Sequence, residues 1–135
     1  EELMSLLKDK PKLGHITTFG GNPVIASAAL ATLKEVCESD LMAEALEKEL
    51  FIRTHLKHPL ISEIRGKGLM LAALVPSADI ATEVILKAKE KGLILFWLLF
   101  ETKAIRITPP LTISNGELLE GIGIIIEILN TIDSK

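Results

Sequence analysis

The spacing of apolar and polar residues changes period several times along this chain, and each change marks an element. Ala26, Ala29, Leu30, Leu33 and Val36 or Cys37 recur every three or four residues, which predicts an amphipathic helix. Asn22-Pro23 supplies its start, an N-cap followed by proline at the first helical position, where a missing N–H costs nothing. Ser39-Asp40 caps a second amphipathic helix from Leu41 to Leu56, which His58-Pro59 closes. Between Ile61 and Pro76 the period shortens: alternation around Ile64, Gly66 and Gly68 runs into the apolar stretch Leu69 to Val75, predicting a strand or a bent strand pair. Ser77 or Asp79 then caps a helix through Lys91, with Gly92 at its C-terminal end. Strands are expected from Leu93 to Trp97 and from Ala104 to Thr108, the second ended by Pro109-Pro110. Ser114 with Glu117 three residues on is a capping box, and Leu118 to Ile132 forms the closing helix.

This order predicts an α+β fold, a short antiparallel or mixed sheet covered by helices. The chain starts at Glu1 without a methionine and already in helical register, with Leu3, Met4, Leu6 and Leu7 apolar, so a piece of a longer protein is expected. At 135 residues, 48% hydrophobic and 24% charged, it has enough apolar material for one packed domain. A formal net charge of -3 supplies no basic field, so no nucleic-acid partner is expected. The longest apolar runs fall far short of the ~20 residues that cross a bilayer. No membrane role is expected, and no targeting signal is visible at Glu1-Glu2-Leu3. The single cysteine, Cys37, lies in an apolar helical pattern and is expected to be a buried thiol, in keeping with a cytoplasmic location.

Candidate chemistry concentrates in three places. The stretch Gly14-His15-Ile16-Thr17-Thr18-Phe19-Gly20-Gly21-Asn22-Pro23 sets two hydroxyls and close-approach glycines beside a helix start. It is either an anion site suited to phosphate or an irregular connection using glycines for turns. Arg106 stands in the apolar strand Ala104-Ile105-Arg106-Ile107-Thr108-Pro109-Pro110, where a permanent charge needs a partner: a ligand carboxylate, or a surface Glu at an edge strand. Arg65, in Ile64-Arg65-Gly66-Lys67-Gly68, poses the same alternative with the structural role favoured. His15, a lone loop histidine, has no acid or nucleophile at a suggestive spacing. His55 and His58 lack further ligands at metal spacing, and no metal is expected.

Three motifs in order, GHITTFGGNP, Ile64-Arg65-Gly66-Lys67-Gly68-Leu69-Met70 and Ile105-Arg106-Ile107-Thr108-Pro109-Pro110-Leu111-Thr112-Ile113-Ser114, resemble the C-terminal part of the class III aminotransferases, which include ornithine and acetylornithine aminotransferases. The resemblance covers essentially the whole chain. It implies the small C-terminal domain of a fold-type-I pyridoxal-phosphate (PLP) transferase, divided into an interface helix and cofactor-phosphate loop over residues 1–22 and the small domain over residues 23–135. It implies that Thr18, with Thr17 beside it, gives a hydroxyl to the phosphate of PLP held by the other subunit of a homodimer. It further implies that Arg106 receives a substrate carboxylate, from an amino acid or a 2-oxo acid. The family's Schiff-base lysine and the carboxylate on the pyridine nitrogen lie upstream of the first motif. None of the twelve lysines here stands in that lysine's glycine-rich setting, so no catalytic residue is assigned and the chain alone is expected to be inactive. Phe96-Trp97-Leu98-Leu99-Phe100 departs from the more polar segment of many members and leaves the amino donor open. The alternatives are a related PLP decarboxylase, racemase or aminomutase, or a non-catalytic interaction or dimerisation module.

Overall fold

A computed structural model describes residue 5 and residues 17–133. His15 and the residues on either side of it, like the apolar start of the chain apart from Ser5, lie outside the described residues. The chain divides into two compact units, meeting at Ser39 and Asp40.

In the first unit, helix α1 spans Pro23–Glu38. Asn22 caps it as the sequence predicts, its Oδ1 accepting the N–H groups of Val24 at 3.0 Å and Ile25 at 3.3 Å, with proline at the first helical position. None of its residues is buried, and Cys37 is exposed, which corrects the expectation of a buried thiol. Periodicity identified the apolar side of this helix, but a stripe is buried only where something packs on it.

The second unit carries the sheet. Helix α2 covers Leu41–His55, and strands β1 (Glu63–Lys67) and β2 (Met70–Leu74) form an antiparallel hairpin, so the bent pair is the outcome. Lys67 pairs with Met70, leaving Gly68-Leu69 as a two-residue turn with Gly68 at φ 57°. Helix α3 spans Ala78–Glu90 with Ser77, rather than Asp79, as cap: its Oγ accepts the Ile80 N–H. Strand β3 is only Phe96–Trp97, shorter than expected, because the Leu93 N–H turns back to the Ala88 carbonyl and completes the helix end instead of entering a ladder. Strand β4 is Ala104–Ile107, and helix α4 is Asn115–Asp133. The sheet is antiparallel throughout, in the order β1-β2-β4-β3.

Alternation along the strands gives the sheet two different faces. Leu71, Ala73, Ile105 and Ile107 are buried together with Ala81, Val84, Ile85 and Ala88 of α3 and Ile125, Ile128 and Leu129 of α4. Fully burying one such side chain contributes roughly 1.5–3 kcal/mol. Among the described residues Ile52, Leu56, Leu71, Ile105, Ile128, Leu129 and Val84 are all below 2% exposure, enough to hold this unit together on its own core. On the other face, pairing puts Arg65, Ala72, Arg106 and Phe96 in one row across all four strands.

A polar clamp fixes the hairpin to α2. The Glu49 carboxylate accepts the Gly68 N–H and pairs with Arg53 at 2.8 Å, while Arg53 donates to the Ile64 and Gly66 carbonyls. The Gly68 N–H first, and Arg53 second, hold the Glu49 carboxyl below its ordinary value of 4.5. A carboxyl depressed in the folded state stabilises it fully above the ordinary carboxylate range, and that contribution is lost as pH falls through the folded value. Urea unfolding from pH ~5 down to pH ~3 is therefore expected to show a smaller loss of stability in Glu49→Gln than in the parent. Equal slopes would mean that the clamp does not discriminate charged from neutral Glu49.

Candidate functional site

Arg106 sits where strand β4 has room for it. Its cross-strand neighbour on one side is Ala72, which leaves space above the sheet, and on the other is Phe96. The guanidinium carbon lies 4.8 Å from the centroid of the Phe96 ring, a stacking contact that orients the fork. Arg106 is half-buried, and its Nε is fully covered without a hydrogen-bond partner, the one buried side-chain nitrogen or oxygen in that condition among the described residues. Such a donor costs about 1–3 kcal/mol while unmet. Of the two partners open to Arg106 from its sequence, a surface glutamate is absent: the described ion pairs use Arg53, Arg65, Lys48, Lys87 and Lys91. Arg65 takes the structural role, exposed and paired with Glu63 at 2.8 Å.

A cavity of about 370 Å³, in the size range of small-molecule pockets, opens between the strand region and α4 on the face that carries Ile107. Leu95 and Ile107 from the strand region and Leu118 and Ile122 from α4 wall it, and Arg106 and Phe96, whose side chains lie on the other face of the sheet, stand at its border. The segment after β4 is held in place as a wall. Pro109-Pro110 ends the strand, the Ile113 N–H returns to the Pro110 carbonyl, and Lys48 of α2 donates to the Leu111 carbonyl at 2.7 Å. The capping box then starts α4: Ser114 N–H and Oγ–H donate to Glu117 at 2.8 and 2.7 Å, and the Glu117 N–H returns to Ser114 Oγ. The Ser114 hydroxyl first, and its N–H second, hold the Glu117 carboxyl below the ordinary value. Glu117 is the one acid of the cavity lining, and both hydrogen bonds described for its carboxylate belong to the helix cap and fall on one oxygen, Oε2.

In the first unit Thr17 and Thr18 are exposed. The loop turns through a Gly20 N–H to Thr17 carbonyl bond at 3.3 Å and an Asn22 N–H to Phe19 carbonyl bond at 3.1 Å. A Cβ on Gly20 would lie 2.9 Å from Thr17 Oγ1, so glycine leaves the space beside that hydroxyl clear. Gly21 has φ 77°, a conformation suited to glycine. One part of the anion-site expectation changes, because Asn22 already satisfies the Val24 and Ile25 N–H groups at the helix start. What the loop offers a phosphate is threonine hydroxyls rather than helix amides, and that donor set fits a phosphate oxygen.

His55 and His58 are engaged locally, His55 Nδ1 with the Phe51 carbonyl and His58 Nε2 with Asn130 Oδ1. Sequence reasoning missed Phe96 as the partner of Arg106. The signal available was only that both lie in short neighbouring apolar runs, and the register that opposes them is a tertiary fact.

The family model for class III aminotransferases matches residues 1–129. The chain is 37% identical over 123 residues to acetylornithine aminotransferase of Caldanaerobacter subterraneus subsp. tengcongensis, an alignment covering 87% of this chain and 30% of that protein. It is likewise 37% identical over 130 residues to leucine/methionine racemase of Thermococcus litoralis, covering 87% of this chain and 29% of that one. The ornithine aminotransferase structure from Toxoplasma gondii ME49 superposes with a TM-score of 0.79 at 28% identity, covering 99% of this chain and 32% of the other. The chain thus spans about 30% of the length of the curated relatives it matches. Matched along all but its last few residues, the chain belongs to the class III aminotransferases, a family that depends on pyridoxal phosphate.

Proposed function

We propose that this chain is the C-terminal part of a PLP-dependent aminotransferase that moves an amino group between an amino acid or amine and a 2-oxo acid. The observation that carries this reading is the half-buried Arg106 guanidinium, stacked on Phe96 and in none of the described ion pairs, a planar fork of the kind that receives a carboxylate. PLP, when bound, supplies an electron sink at the carbon that carries the amino group. This chain's residues position the reactants: Arg106 holds the substrate carboxylate, and Thr18, with Thr17, donates a hydroxyl to the PLP phosphate of the other subunit in a homodimer. The chain by itself catalyses nothing, since none of its lysines stands in the setting that holds the cofactor. Exposed apolar residues support a larger assembly: Val24 and Leu33 of α1, and Leu99 and Phe100, the last fully exposed. A cytoplasmic location fits this reading, with no helix long and apolar enough to cross a membrane among the described residues.

Similarity to a leucine/methionine racemase keeps one second reading in view, in which the complete protein performs another PLP reaction on an amino acid. Product analysis separates the two, because transamination yields a 2-oxo acid from the donor and racemisation yields only its enantiomer. For the cofactor loop, Thr18→Ala in the complete protein is expected to weaken PLP binding by about tenfold, the worth of one charge-assisted hydrogen bond. Equilibrium dialysis of PLP checks it. Unchanged affinity in both Thr18→Ala and Thr17→Ala would remove the loop from the cofactor site.

A further inference from the structure

We propose that Phe96 is a positioning residue for Arg106: its ring holds the guanidinium in place before a substrate arrives, and so sets a preference for amino donors that carry a carboxylate over donors that carry none. The inference rests on the reading of Arg106 as carboxylate receiver and adds what makes that receiver ready.

Arginine reaches its fork through a long, flexible stem, and a fork that moves freely loses that freedom on meeting a carboxylate, at a cost in affinity. Among the described residues Phe96 is the one that restrains it. The guanidinium enters none of the described ion pairs, and Ala72, the cross-strand neighbour on the β2 side, ends at a methyl group too short to follow it. On the β3 side Phe96 stands directly opposite Arg106 in the ladder, so both side chains leave the same face of the sheet. The guanidinium carbon lies 4.8 Å from the centroid of the Phe96 ring, within the range of a cation–aromatic contact. Because the Arg106 Nε is covered, a carboxylate meets the fork at its terminal nitrogens, the edge that can donate two parallel bonds.

The ring is itself held. Strand β3 has two residues, and the second, Trp97, pairs with Ile105 and donates its indole N–H to Thr82 Oγ1 of α3 at 3.2 Å. Thr82 stands between Ala81 and Val84, both buried in the core. The Trp97 ring meets Phe96 edge-on, with centroids 5.9 Å apart. A line of contacts thus runs from α3 through Trp97 and Phe96 to the fork. Phe96 is 52% exposed, so its ring adds little to the core, and replacing it probes the contact with Arg106 rather than the fold. A donor without a carboxylate gains nothing from a prepared fork, whereas a donor with one gains the full difference.

Kinetics of the complete protein with two donors, one with and one without a carboxylate, test the proposal. Competitive inhibition by butyrate reads carboxylate binding without a reaction. Phe96→Leu keeps apolar bulk and removes the ring face. It is expected to lower the ratio of kcat/KM between the two donors about fivefold, through KM rather than kcat, and to raise the Ki of butyrate by the same factor. Phe96→Tyr keeps the ring face and should stay within about twofold of the parent on both measures. In an Arg106→Ala background Phe96→Leu should leave the donor ratio unchanged, because no fork remains to be held. Circular dichroism and bound PLP establish that each variant is folded, and Phe96→Met takes the place of Phe96→Leu if that variant is not. An effect of Phe96→Leu that is as large in the Arg106→Ala background, or that slows both donors alike, assigns the ring to structure and overturns the inference. Loss of the carboxylate preference in Arg106→Ala with none in the Phe96 variants overturns it too, while the carboxylate reading stands. If Arg106→Ala itself keeps the preference, that reading falls and this inference with it.

Discussion

Replacing Arg106 by alanine in the complete protein is expected to lower kcat/KM for its carboxylate substrates by two to three orders of magnitude, with PLP affinity unchanged. The magnitude follows from geometry. Arg106 is half-buried and stacked on Phe96, so its guanidinium is oriented and partly out of water before a carboxylate arrives. Truncating one member of a desolvated, hydrogen-bonded charge pair costs about 2–5 kcal/mol, much of it because the other charge is left unpaired. Steady-state kinetics with an amine donor that has no carboxylate provides the internal control, since such a donor never uses the fork. A variant that slows both donors equally has lost folding or cofactor, and one that slows neither removes Arg106 from substrate binding. Arg106→Lys should recover only a minor part of the loss, because an ammonium keeps the charge and gives up both the planar fork and the stack on Phe96.

Much of this arrangement is legible from residue order, for reasons that differ along the chain. Local chemistry is read well. Asn22-Pro23, Ser77 and Ser114 with Glu117 each mark a helix start through a bond that spans three residues or fewer, and the structure contains all three. Asp40 occupies the cap position of α2 but its side chain makes no capping bond, since that residue type is permitted there without being compelled. The sheet is read only in outline. Short apolar runs cannot say which strands are neighbours, and the place of β4 between β2 and β3 is set by contacts distant in sequence. For that reason Arg106 stood out as a charge in an apolar strand while its pairing with Phe96 did not. Cys37 fails for the complementary reason: an apolar stripe on a helix tells what the helix can cover, and burial depends on what arrives to be covered.

The largest loss of stability is expected from Gly66→Ala. Gly66, next to last in β1, stands opposite Leu71 with φ 117°, a conformation that side-chain-bearing residues rarely adopt. Room is also lacking: a Cβ there would lie 2.0 Å from the Met70 carbonyl oxygen and 3.0 Å from Leu71 Cα. Both are backbone atoms of the paired strand, so no side chain can swing aside, and relief requires breaking the hairpin register or turning the residue out of its φ. Either route also disturbs the Gly66 carbonyl, which Arg53 holds at 3.0 Å as part of the clamp on α2. Strain and lost hydrogen bonds together place the cost at about 4 kcal/mol or more, a large share of a domain's whole stability. Gly92→Ala separates backbone strain from steric clash, because Gly92 has φ 85° and nothing within 4 Å of an added Cβ. It should cost about 1 kcal/mol, the penalty of the left-handed conformation alone. Urea unfolding of the three chains followed by circular dichroism gives the comparison. If Gly66→Ala loses no more than Gly92→Ala, the hairpin has yielded around the new methyl group, and the row that runs from Arg65 through Ala72 and Arg106 to Phe96 is more adjustable than its register implies.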